Sequence, residues 1–226
     1  MDDVIQVEVA GNLERRFKVG AVLLAAGSAS RMGHRPKCLL ELDGLPLIQR
    51  QLTALSDAGV DQVVVVLGHY AERIEKVVKA FAVTLVRNPN PDDGQISSFR
   101  LGLQTLSGQL DAVLIALADQ PLLNTQDMND LIAAYLSRPE GTQVVQPTVE
   151  DLPGNPVMLS AEVRQQILAG DANLGCRQWQ SAHPDQVHAW VSSNSRYRTD
   201  VDTLEDISAL FARTGHQLQW PACIQN

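Results

Sequence analysis

Short apolar runs alternate along the chain with segments in which apolar positions recur every three or four residues. The runs at 19–26 (VGAVLLAA), 63–67 (VVVVL) and 112–118 (AVLIALA) carry no charged or strongly polar residue, the pattern of strands covered on both faces. A further short strand is predicted at 83–86. Residues 46–58, 71–80, 97–106, 125–137, 161–169 and 204–213 carry the helical period. Pro46 stands at the first turn of the first of these helices and Gly59 follows its end, while Gly170 stops the fifth. Strand–helix alternation with buried strands predicts an α/β fold built on a parallel sheet. In such sheets ligands bind beyond the carboxyl ends of the strands. The loops at Gly27, at 88–94 and at Asp119 are therefore the first places to look for function. The stretch 143–156 follows neither period and is expected as a lid or a substrate-facing edge. Residues 1–18 and 214–226 fall outside the alternation, as an N-terminal extension and a C-terminal tail. Residues 19–213 remain as the expected single domain.

Composition narrows the class. The 226 residues are 45% apolar and 19% charged, which excludes intrinsic disorder. Eighteen basic against 26 acidic residues give a net charge of −8, which speaks against coating nucleic acid or an anionic membrane. The apolar runs are too short to span a bilayer, and the acidic first twenty residues lack the apolar core of a secretory signal. Cys38, Cys176 and Cys223 form no C-x-x-C pair, so neither a zinc nor a disulfide framework is expected and a reducing, cytoplasmic location is.

The stretch LAAGSASRMGHRPK, Leu24 to Lys37, changes the picture. A buried strand opens into small residues and then into Arg31, His34, Arg35 and Lys37. Small residues let backbone N–H groups approach an anion, and Arg and Lys add charge that phosphate oxygens can use. The competing reading, a solvated basic loop, is weakened by the position directly after the first strand. Two familiar phosphate loops are excluded. The fingerprint G-x-G-x-x-G needs glycine where Ala29 stands, and the Walker A loop needs four residues, not five, between its glycines.

This stretch resembles the opening signature of the MobA-like nucleotidyltransferases, with Ala25, Ala26, Gly27, Arg31, Met32, Gly33 and Lys37 in place. The branch it most resembles is the molybdenum cofactor cytidylyltransferases, many of which have the lysine one residue nearer to the glycine. The resemblance extends over about residues 20–210. Asn88-Pro89, Gly94, Ser97, Ser98 and Gly102-Leu103 resemble the family's N-P…G…S-x-x-x-G-L stretch. Ala118-Asp119-Gln120-Pro121 is similar to G-D-[MQ]-P, and Gly154-Asn155-Pro156 to G-[HN]-P. Gly170-Asp171 with Gly175-Cys176-Arg177 is similar to an expanded G-D-x-G-A-R, and residues 200–206 (DVDTLED) to D-x-D-T-P-E-D.

The resemblance implies a Rossmann-like, mostly parallel sheet with helices on both faces and Mg²⁺-dependent transfer of a nucleotidyl group to a small molecule. Leu24, Ala25, Ala26, Gly27 and Ser28 would line the triphosphate, with Arg31 and Lys37 on its charges. Asn88, Gly94, Ser97 and Ser98 would face the base. Asp119 and Asp202 would hold the metal, and Gly154, Asn155, Pro156 and Arg177 the acceptor. Each residue has a plainer reading: Lys37 packed over Leu39 and Leu40, Asp119 as a turn residue, Ser97 or Ser98 as a helix cap, Thr203 beside Asp202 as another, Arg177 solvated. A phosphate acceptor, dianionic near neutral pH with a second pKa of about 6, needs no general base. The expected reaction transfers CMP from CTP to the molybdopterin cofactor, with a molybdoenzyme or its maturation factor as client. Alternatives are GTP as donor, a sugar-phosphate or other small acceptor, and a non-catalytic cofactor carrier.

Overall fold

Four of the apolar runs lie side by side as parallel strands at the centre of the molecule. The computed structural model describes residues 16–222. Most of the expected N-terminal extension, and the last four residues with Cys223, lie outside the described residues. In chain order the first half runs β1 (Val19–Ala25), β2 (Glu41–Leu42), β3 (Leu45–Pro46), α1 (Leu47–Asp57), β4 (Gln62–Leu67), α2 (Ala71–Val78), β5 (Thr84–Arg87) and α3 (Gln95–Thr105). Next come β6 (Ala112–Leu117), α4 (Thr125–Leu136), β7 (Val144–Val149), β8 (Leu152–Pro153), β9 (Val157–Ser160) and α5 (Ala161–Ala169). The described chain closes with α6 (Cys176–Ala182), β10 (Val187–Val191), α7 (Leu204–Thr214) and β11 (Leu218–Gln219).

The main sheet has the order β10-β7-β9-β6-β1-β4-β5, with β8 paired to β7. It is mostly parallel, as the alternation predicts. The exception is β9, antiparallel to both β6 and β7. Side chains of β1 alternate between the two faces, as the two-residue repeat of a strand requires. Ala21, Leu23 and Ala25 join a core with Ile48 and Leu52 of α1, Ile74 of α2 and Met128 and Leu131 of α4. Val22 joins the opposite core with Phe99 and Leu103 of α3, Val163 and Ile167 of α5 and Trp179 of α6. Both faces are thus covered by helices. A Cβ on Gly102 would collide with Val22 and Val66, so glycine there lets α3 lie close on the sheet. Arg100, also on α3, donates to the carbonyls of Ile167, Leu168, Gly170 and Leu174, satisfying the open end of α5 and fixing the segment that leads to α6.

A second, small sheet, β11-β2-β3, is antiparallel, and its Leu42 and Leu218 pack with Met32, Leu47, Val201 and Leu210 under α7. Residues 218–219, assigned to the tail on sequence, therefore pair with β2. The stretch expected as a lid divides in two. Residues 144–149 are a strand inside the sheet, with Val144 and Val145 fully buried, while 150–156 turn at its rim, where β8 pairs back onto β7.

Candidate active site

The chain leaves β1 at the carboxyl end of the sheet and turns through Gly27, Ser28 and Ala29. Ala29 takes the left-handed conformation (φ 49°), which an L residue adopts at a cost of about 1–2 kcal/mol. Two buried anchors hold the turns that follow: Met32 in the core under α7, and Cys38 with Leu39 against α1. Ahead of these fixed points the backbone N–H groups of Gly27, Ser28 and Ala29 have no acceptor among the described residues. Three open donors on a short bend form an anion-binding concavity.

Lys37, between the two anchors, reaches the end of β6. Its ammonium donates to Asp119 Oδ2 and to Asp202 Oδ1, each at 2.6 Å. Asp119 follows β6 by two residues, and its carbonyl accepts from Val201 N, which binds the 200–202 segment to the strand end. Asp202 is fixed from the other side by the start of α7. Thr203 and Asp206 form a reciprocal cap there, and Asp206 Oδ2 also accepts from Asp202 N at 2.8 Å. Burial opposes the charge of Asp206, but the donors at Asp202 and Thr203 outweigh it and lower its pKa. Arg31 approaches Asp202 Oδ2 at 3.6 Å.

The electrostatics follow from this packing. Burial works against the Lys37 ammonium, but Asp119 and Asp202 outweigh it and raise its pKa. Asp200 is raised by burial and by its two acidic neighbours, with Lys37 opposing. Asp119 Oδ1 is buried without a hydrogen-bond partner among the described residues. A carboxylate oxygen left in this state calls for a cation or a donor supplied from outside the chain. Two carboxylates with an open oxygen, beside Asp200, fit a hard divalent ion completed by phosphate and water.

These groups border a cavity of about 680 Å³ at the carboxyl ends of β1 and β6. Of the residues singled out in the sequence, Leu24, Ala25, Ala26, Gly27, Ser28, Arg31, Lys37, Gly94, Ser98, Asp119, Asn155, Arg177 and Asp202 line it. Asn88 and Ser97 stand behind the wall. The Asn88 amide donates to Ser97 Oγ and Ser98 Oγ and accepts from Asn90 N, so it shapes the loop. Ser97 caps no helix end with its oxygen; it donates to the Gly94 carbonyl, one turn back, and α3 begins at Gln95. Gly154 and Pro156 flank Asn155 without lining the cavity, and a Cβ on Gly154 would press on the Tyr197 backbone. Sequence reasoning missed Gln120, whose buried amide donates to the carbonyls of Asn155 and Tyr197 and sets the loop at Asn155 on the end of β6. It also missed His69 and Tyr70 on the cavity wall, which Asp200 of the DVDTLED stretch lines as well.

The MobA-like NTP transferase domain family matches residues 21–187. Nicotine blue oxidoreductase of Paenarthrobacter nicotinovorans is 29% identical over 200 residues, 85% of this chain and 96% of that protein. The bifunctional protein GlmU of Bifidobacterium adolescentis is 31% identical over 139 residues, 59% of this chain but 30% of its own length. Among solved structures, a nucleotidyl transferase from Methanothermobacter thermautotroptrophicus aligns with a TM-score of 0.71 at 25% identity. That alignment covers 87% of this chain and 99% of the other.

Proposed function

Because the chain belongs to the MobA-like NTP transferase domain family, we propose that it transfers CMP from CTP to the phosphate of the molybdopterin cofactor and releases pyrophosphate. The chain is a MobA-like nucleotidyltransferase; the base and the acceptor are the parts proposed. The observation that carries the reading is the Lys37 ammonium, held at 2.6 Å by both Asp119 and Asp202 on a cavity that also presents three open backbone donors.

In this reading an acceptor phosphate oxygen forms a bond to the α-phosphorus as the bond to the bridging oxygen breaks. The electron pair leaves with pyrophosphate. Charge grows on that leaving group, so fixed donors and cations dominate catalysis. The N–H groups of Gly27, Ser28 and Ala29 bind the phosphates, and Arg31 and Lys37 neutralise the departing charge. Asp119 and Asp202 hold Mg²⁺, which when bound supplies positive charge to the phosphate oxygens. Asn155 and Arg177 orient the acceptor. The phosphate acceptor is already dianionic near pH 7, with a second pKa of about 6, so the cavity needs no base.

The Ala26 methyl group favours the smaller pyrimidine. One methyl group is worth about 1–3 kcal/mol of discrimination, so the loop at 88–94 supplies the rest of the base preference. The test is pyrophosphate release from each of the four NTPs, with and without molybdopterin and Mg²⁺. Release that needs CTP, molybdopterin and the metal together is expected. A GTP preference transfers the assignment to guanylyl transfer, and no release from any NTP overturns it.

A further inference from the structure

Gly68, His69 and Tyr70, the turn between β4 and α2, have no part in the chemistry above, yet all three touch the triphosphate loop. His69 Nδ1 lies 3.0 Å from the carbonyl oxygen of Ala26. The Tyr70 hydroxyl donates to the carbonyl oxygen of Ser28 at 2.6 Å. A Cβ on Gly68 would stand 2.9 Å from both Cα and Cβ of Ala26, so the absence of a side chain lets this turn lie directly on the loop. The far side of His69 is also used: Nε2 lies 3.0 Å from Asp92 Oδ1, in the 3₁₀ turn Pro91–Asp93 that precedes α3.

The two bonded carbonyls belong to the stretch whose N–H groups are open. In a trans peptide unit the C=O and the next residue's N–H point in opposite directions. Fixing the Ala26 carbonyl therefore fixes the direction of Gly27 N–H, and fixing the Ser28 carbonyl fixes that of Ala29 N–H. Without these bonds either peptide plane could rotate and present a carbonyl oxygen to the phosphates. The loop has no regular secondary structure across 26–29 to prevent this.

Through its two ring nitrogens His69 joins the triphosphate loop to the loop expected to face the base.

Resting on the nucleotide reading above, we propose that His69 and Tyr70 are positioning residues for the triphosphate. They hold the Ala26 and Ser28 carbonyls so that the Gly27 and Ala29 N–H groups stay fixed for phosphate binding.

The test uses tripolyphosphate, which carries the phosphates without a base, beside CTP and GTP, in calorimetric titrations of the full chain with Mg²⁺. His69→Ala and Tyr70→Phe are each expected to weaken tripolyphosphate about fivefold, the equivalent of one hydrogen bond. The nucleotide that the wild type binds loses affinity by the same factor. His69→Asn, whose amide can still donate to the Ala26 carbonyl, recovers most of the loss. Tyr70→Phe keeps the ring and serves as the variant least able to disturb folding. Unchanged affinity in both His69→Ala and Tyr70→Phe overturns the proposal while leaving the nucleotide reading intact. So does a loss that follows a lowered Tm and is not recovered by His69→Asn. A wild type that binds none of the three ligands overturns the nucleotide reading itself.

Discussion

Lys37 and Asp119 are 82 residues apart in sequence, and their side chains meet at 2.6 Å. Asp202, 165 residues from the lysine, completes the group at the same distance. Three separate segments thus converge on one ammonium. Removing the lysine leaves two carboxylates facing each other, and removing either aspartate leaves the ammonium with a single partner.

Asp119→Asn is expected to lower kcat by about 10²–10³-fold, the range found when a single charge-stabilising group is removed. Its far-ultraviolet circular dichroism should remain that of the wild type. Asp202→Asn should lose less, because Asp200 lines the same cavity. Near wild-type turnover in a folded Asp119→Asn protein would refute the metal role.

Lys37→Met leaves Asp119 and Asp202 facing each other without their counterion. The side chains are 17%, 22% and 37% exposed for Lys37, Asp119 and Asp202, between the surface and buried limits. A loss of about 1–2 kcal/mol at pH 7 is expected in urea denaturation. The folded Lys37 pKa is raised. The contribution is therefore complete below the unfolded value of about 10.4 and is lost as pH rises through the folded value. The stability gap between Lys37→Met and wild type should narrow as pH rises through that alkaline range; a constant gap to pH 11 would contradict this account.

Arg31 and Arg35 separate the roles within the basic loop. Arg31 points to Asp202 on the cavity, whereas the Arg35 guanidinium lies 5.7 Å from the centre of the Trp220 ring, on the small sheet. Arg31→Ala should raise the KM for nucleotide about tenfold or more, as loss of a charge-assisted contact does. Arg35→Ala should change it less than about twofold and show a small loss of stability from the cation–π contact. Equal kinetic losses would mean that the loop acts as a diffuse field.

Burial, with Asp119 adding to it, pushes the Cys38 thiol up to about 12, and burial raises Cys176 as well. A Cys223→Ser variant should therefore resist a disulfide exchange reagent at pH 8 and release two thiols only in denaturant. Rapid reaction of Cys38 in the folded chain would show that the wall behind Lys37 opens.

Three of the strands readable from sequence are buried on both faces: β1 and β6 are apolar throughout and β4 is apolar after Gln62, while the fourth, β5, is a half-exposed edge strand. The three on the other side of the sheet were hidden for separate reasons. Gln146, Pro147 and Thr148 interrupt β7, β9 is only four residues long and runs straight into α5, and β10 at the edge is half-exposed. In the site, Asp119 stood out because its charge follows directly on an apolar strand, and Lys37 because it closes the basic stretch after β1, while Asp202 came from the resemblance. His69, Tyr70 and Gln120 gave no such signal. Their partners are backbone carbonyls, which every residue has, so nothing in the local sequence marks the contact.

The reversal of β9 has a consequence for how such a site can diverge. In an all-parallel sheet each strand delivers one connection to the active rim, and its return passes on the opposite edge. Here β7 arrives at the rim and β9 departs from it, so residues 150–156 form one excursion whose two ends are neighbouring strands of the sheet, β9 beside β6 and β7 beyond it. The cavity walls at 26–37, 68–70 and 91–98 come from other connections. Insertions or replacements in the single 150–156 excursion can therefore reshape the wall that Asn155 lines while leaving those walls untouched.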